Sequence, residues 1–391
     1  MALRGALPLA LTTPRSRHAC VMRNFTVPTI ALALLIGGSG ARAQDDTVIR
    51  ERCGEPLRIE AVRELRIGGP DDPGRIAENI RYARDSKGRL ILWPYGGPEV
   101  NVFDSTGGYI ASFGRQGGGP GEYTNRIQAV RVGPGDSIHV FDAGNMRHTI
   151  LDEDFRVAEM KRLPARPSID GAVRLANGQW VLNAHVPSPE RIGWPLHVLN
   201  GDGEIERSFG ALQPVYRADL AAAGHRYMTP APGDRVWAAW RTQYRVELWD
   251  TRNRRLRSLV RDVPWFRPWP RNPTFGPEQP LNPYISDIHL DAEGVLWVVV
   301  TRPVENWRDF VVEFAPGQYT IEEPVYRLFQ NKLVEAVDME RACVLARLEA
   351  EMFLLRAVAD GVYPAYYEGP YAIPYFDLWR LRFIESPDME P

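Results

Sequence analysis

The chain has 391 residues, with 47 basic and 49 acidic side chains and a formal net charge of −2. That near balance excludes the concentrated basic surface on which nucleic-acid binding depends. No long stretch repeats with a period of 3.6 residues, so an all-α fold is excluded as well.

The N-terminus reads as a secretory signal. An apolar run from Ile30 to Ile36 follows Arg23 and precedes Ala41-Arg42-Ala43, a signal-peptidase site of the A-x-A kind. The run is short for a membrane span, and an uncleaved signal anchor is the competing reading. Residues 1–43 are therefore expected to be removed, with Met22 as an alternative true start. A lipoprotein reading through Cys20 lacks an apolar stretch ahead of the cysteine. Cleavage after Ala43 takes away five arginines and no acid, leaving a mature chain of about −7 with no transmembrane segment. Its expected location is secreted or periplasmic. Two cysteines remain, Cys53 and Cys343; in that compartment they can form a disulfide, or each can be a small buried side chain.

After an extension over 44–56, Leu57 to Ile67 alternates as a strand. Six glycine-bearing turns then recur, at Gly88, Gly135, Gly178, Gly233, Gly294 and Gly361, 43 to 67 residues apart. Each is followed by an alternating or apolar run, which suits units of four strands. Blade one spans Asn79 to Phe113, blade two Ile127 to Leu163, blade three Ile169 to Phe209, and blade four about Tyr227 to Val263. Blade five begins at Ile285 and takes its third strand from Leu333 to Val337, leaving 301–331 as an insertion; the Ala-, Leu- and Glu-rich stretch 335–358 could instead be helical. Blade six offers 353–358, 362–367 and 375–381, one strand short. The spacing predicts an all-β, six-bladed β-propeller over 57–384, closed by the N-terminal strand joining the last blade, with a tail over 385–391. A β-sandwich would not need six regularly recurring turns.

The connector Phe113-Gly114-Arg115-Gln116-Gly117-Gly118-Gly119-Pro120-Gly121-Glu122-Tyr123 has a near copy in Ile67 to Arg75, and Asp142-Ala143-Gly144-Asn145-Met146-Arg147 follows it. Together these residues resemble NHL-repeat propellers and the exported bacterial six-bladed propellers related to them. The resemblance implies an interaction platform, and in scattered relatives an enzyme. It fades in blades four to six. Asp142, Asn145 and Arg147 read as turn-forming residues that serve architecture.

In such a fold, the loops joining strands one to two and three to four share one face, and these are short throughout. The other face carries every long insertion, at 184–196, 211–226, 264–283, 301–331 and 367–374. Loops elaborated on a fixed scaffold mark the binding face, expected to include Trp194, Trp265, Trp269, Tyr284, Trp307, Tyr367 and Arg226. A protein, peptide or glycan would suit these side chains, or the aromatics pack down as a lid.

Glu78, Asn125, Asp170 and Asp287 could point into the channel from four blades, an oxygen set of the kind Ca²⁺ accepts and similar in type to the metal centre of propeller lactonases. The histidines lack metal spacing, and no nucleophile elbow or nucleotide loop is present. The expected function is a non-catalytic binding scaffold, with a Ca²⁺-dependent, lactonase-like hydrolase or lyase as the alternative.

Overall fold

The computed structural model describes residues 46–54, 57–69, 76, 80–94, 96–211, 221–269, 276–278, 281–321, 330–350, 362–368 and 374–384. All of them belong to one compact unit, Ala43–Pro391. The expected signal segment, the strand expected over 353–358 and the expected tail over 385–391 lie outside the described residues.

Six sheets form the blades of a propeller. Blade one pairs Ile80–Arg84, Leu90–Pro94, Val100–Phe103 and Tyr109–Phe113 in antiparallel order. Blades two and three repeat that meander. Blade five runs Tyr284–Leu290, Val295–Pro303, Gln330–Asp338 and Cys343–Ala350, so the stretch that could have been helical is strand as far as Ala350. The insertion within it holds a 3-10 turn, Trp307–Phe310, and a hairpin of Val311–Ala315 with Gln318–Ile321.

The core is distributed around the ring. Among the described residues, six apolar clusters form, one between each pair of neighbouring blades. Period-two alternation explains how one strand serves two interfaces. Leu90 and Leu92 face blade six, while Ile91 and Trp93 face blade two. This is why runs such as Leu90-Ile91-Leu92-Trp93 and Val298-Val299-Val300 are continuously apolar: both faces of the strand are buried.

The N-terminal segment closes the ring. Arg58–Gly68 pairs antiparallel with Pro374–Ile384 over ten residue pairs and completes blade six from its outer side. Thr47–Val48 adds a fifth, parallel strand to blade four, Arg50 bridges to Cys343 of blade five, and Cys53 is disulfide-bonded to Cys343 with the two Cα atoms 5.2 Å apart. Residues 46–54 and 57–68 thus reach three blades. Asp46 accepts from Arg245 at 2.6 and 2.7 Å, and those bonds hold its carboxyl down at about 2. Glu51 joins a buried network in which Arg261 and Arg347 both donate to Glu335.

Candidate functional site

Residues from all six blades line a central cavity of about 330 Å³. Its polar lining is dominated by arginine: Arg81 and Arg84 from blade one, Arg131 from blade two and Arg174 from blade three. Among the described lining residues the one carboxylate is Asp170. In Ile80-Arg81-Tyr82-Ala83-Arg84 and Val130-Arg131-Val132, the apolar residues join the blade-interface clusters while the arginines remain half-buried against the channel.

Asp170 is aimed by a bulge. The register slips between Pro167 and Ala172, and Asp170 takes the left-handed φ of 55°, with Gly171 next to it packed where a Cβ would lie 2.8 Å from two carbonyl oxygens. The buried carboxylate so presented is ion-paired to Arg81, with the Arg131 guanidinium 3.6 Å away. Arg131 also donates to the Asp170 carbonyl at 3.1 Å and to that of Ala172 at 2.9 Å.

The four-oxygen metal set does not assemble from the described residues. Glu78 lies outside them, Asn125 is exposed, and the oxygens of Asp170 are turned to arginines. Asp287 is buried, and its charge acts on the buried amine of Lys332, which burial drives down to about 7 against the pull of that carboxylate. Among the described residues, no three His, Cys, Asp or Glu side chains group so as to hold a metal ion.

The two faces differ as the loop lengths imply. On the short-turn face, five of the described hairpins use one device. Asp85, Asp104, Asp152, Asn200 and Asp250 each accept from the backbone N–H groups two and four residues ahead. The residue three ahead takes a left-handed φ: Gly88, Gly107, Phe155, Gly203 and Asn253. Two Pro-Gly-Asp turns then stitch blades together: Asp136 accepts from the Ser86 N–H and hydroxyl at 2.9 and 2.8 Å, and Asp234 from the Asn177 N–H at 2.9 Å.

On the long-loop face, many of the expected contact aromatics pack downward. Trp269 is buried, its indole N–H donating to the Pro283 carbonyl at 2.8 Å, and Trp307 is 4% exposed. Trp194 and Trp265 are half-buried, and Trp265 packs with Tyr244 and Phe266. Tyr284 is half-buried under the Arg241 guanidinium, 4.7 Å from the ring centre. Arg226 does not reach the face: it is 2% exposed, its guanidinium lies 3.5 Å from the centre of Trp240, and it donates to the His225 carbonyl at 3.0 Å. The Tyr367 side chain lies outside the described residues. What this face does expose is Ile192, in the 184–196 loop, and Phe314, 65% exposed on the inserted hairpin.

The glycine connector is held by the residues expected to serve architecture. Asp142 accepts from the Thr124 N–H at 2.9 Å, Asn145 donates to the Gly117 carbonyl at 2.8 Å, and Arg147 donates to that of Gly118 at 2.9 Å. At Gly114, φ is 85° and a Cβ would stand 2.4 Å from the Pro98 carbonyl, so this position admits only glycine. The histidines are also packed. His139 and His148 share a 2.9 Å hydrogen bond against Trp180 and Phe141, and His197 sits 2.8 Å from the Ser208 hydroxyl. Sequence reasoning missed the channel arginines, although an arginine recurring among apolar residues on the inner strands was a usable signal.

No family model matches the chain, and neither does any curated protein. Solved structures share the fold. One from Bacteroides fragilis, described as an exported protein, aligns with a TM-score of 0.59 at 13% identity, covering 86% of this chain and all of the other. A member of the DUF4221 family from Bacteroides vulgatus aligns with a TM-score of 0.59 at 11% identity, covering 84% and 99%.

Proposed function

We propose that this chain is exported to the secreted or periplasmic space and acts there as a non-catalytic scaffold that binds a protein, peptide or glycan on its long-loop face. The observation that carries the reading is the asymmetry of the faces. Each described short hairpin is a hydrogen-bonded turn with little freedom to vary, whereas the opposite connections hold the inserted hairpin, a 3-10 turn and the exposed Ile192 and Phe314. Scaffolds acquire partners through such loops. Export is supported by the signal-like N-terminus and by a structural neighbour described as exported. The Ca²⁺-dependent alternative has weaker support, because a carboxylate engaged by arginines is a poor cation ligand.

Photocrosslinking in the producing cell tests the reading, with a photoreactive side chain at Ile192 or Phe314 on one face and at Asp202 or Arg252 on the other. Adducts are expected from the long-loop positions, and Phe314→Asp should weaken capture about tenfold or more if the ring is a buried anchor. Adducts from the short-turn positions alone would reverse the faces. Silence at all four positions would remove the scaffold reading.

A further inference from the structure

Among the described residues, the channel lining carries more positive charge than its one carboxylate can balance. Asp170 serves Arg81, near the long-loop end of its strand, and Arg131, which stands next to last in its own. Arg84 and Arg174 stand at the short-turn end, as the last residues of their strands. The Arg174 guanidinium lies beside the Gly178 turn, where a Cβ would come within 2.9 Å of it. Among the described residues, neither arginine is ion-paired, and Arg84 Nε is buried without a hydrogen-bond partner. The neighbouring carboxylate, Asp85, is turned to its own hairpin, where it accepts from the Lys87 and Arg89 N–H groups and pairs with the Arg89 guanidinium.

Apolar walls, among them Val132 and Trp180, surround these charges. A low-dielectric wall concentrates the field of a like-charged cluster and raises the local concentration of counter-ions. The guanidinium fork matches the planar or tetrahedral oxygens of carboxylate and phosphate. A cavity of about 330 Å³ is at the small end of ligand sites. We propose that the short-turn end of the channel binds a small oxyanion, a carboxylate- or phosphate-bearing molecule of about sugar-acid size, through Arg84 and Arg174. This site is at the opposite end of the channel from the partner face and does not depend on it.

Calorimetric titration of the purified exported chain, at constant ionic strength in chloride, tests the site with inorganic phosphate and citrate as separate probes. Saturable binding of at least one is expected, and the preferred probe tells phosphate from carboxylate chemistry. Arg84→Gln and Arg174→Gln should each weaken it about tenfold or more, while Arg252→Gln and the partner-face variant Phe314→Asp leave it unchanged. If a glutamine variant does not fold, Arg174→Lys keeps the charge, removes the fork and should still weaken binding severalfold. Failure of both probes to saturate overturns the proposal. So does binding that is indifferent to the substitutions at Arg84 and Arg174.

Discussion

At the scale of single residues, histidine shows how burial rather than spacing decides a role. His139, His148 and His197 are all buried, and desolvation lowers their pKa values to about 4, 3 and 4; nearby Arg174 and Lys161 push His139 the same way, and His139 and Lys161 push His148. The folded protein therefore binds fewer protons than the unfolded chain between about pH 6.5 and those values. Stability is complete above pH 6.5 and is lost as the pH falls toward 4 and then 3. Each histidine contributes on the order of 3 kcal/mol to that loss. Urea unfolding between pH 7 and 4.5 should show a steadily falling midpoint, and the slope should flatten in His148→Gln. A midpoint constant across this range would show that these rings do not titrate as buried neutral groups.

Among the secondary-structure elements, the N-terminal strap departs most from what the sequence suggests. Two residues, Thr47 and Val48, form the parallel strand on blade four, too short to give a periodic signal, and its partner lies more than 200 positions away. The disulfide between Cys53 and Cys343 spans 290 residues. Because a bond closing so long a loop removes much freedom from the unfolded chain, Cys53→Ser should cost about 2–5 kcal/mol. Thermal unfolding of the oxidised protein, the reduced protein and this variant checks the expectation. Reduction should lower the oxidised protein's transition to that of the variant, and equal midpoints in all three would show that the pairings of Asp46 to Arg50 hold the strap without the bond.

Across the whole molecule, stability depends on the ring being closed. Each blade is buried between two neighbours, so a missing closure leaves two blades half-exposed instead of one strand frayed. Deleting Leu57 to Ile67 removes Ile59 and Ile67 from two of the interface clusters and uncovers the edge of Pro374–Ile384. The truncated chain should unfold at a clearly lower temperature and associate through that edge. A transition unchanged in midpoint, with a monomeric product, would mean that closure lies elsewhere.

By itself the sequence determined the repeat and the architecture, because both are written locally. Turn glycines, two-residue alternation and the Asp142, Asn145 and Arg147 clasp act within a few residues or on the adjacent connector, so their periods survive in the chain order. Only the tertiary structure decided what each side chain faces. Cys53 meets Cys343, Arg226 lies against Trp240, Trp269 and Trp307 turn inward, and Asp170 is given to two arginines. These outcomes depend on which residues of other blades arrive at the same place. That is why four arginines, unremarked on their own strands, become a charged channel once six blades close around them.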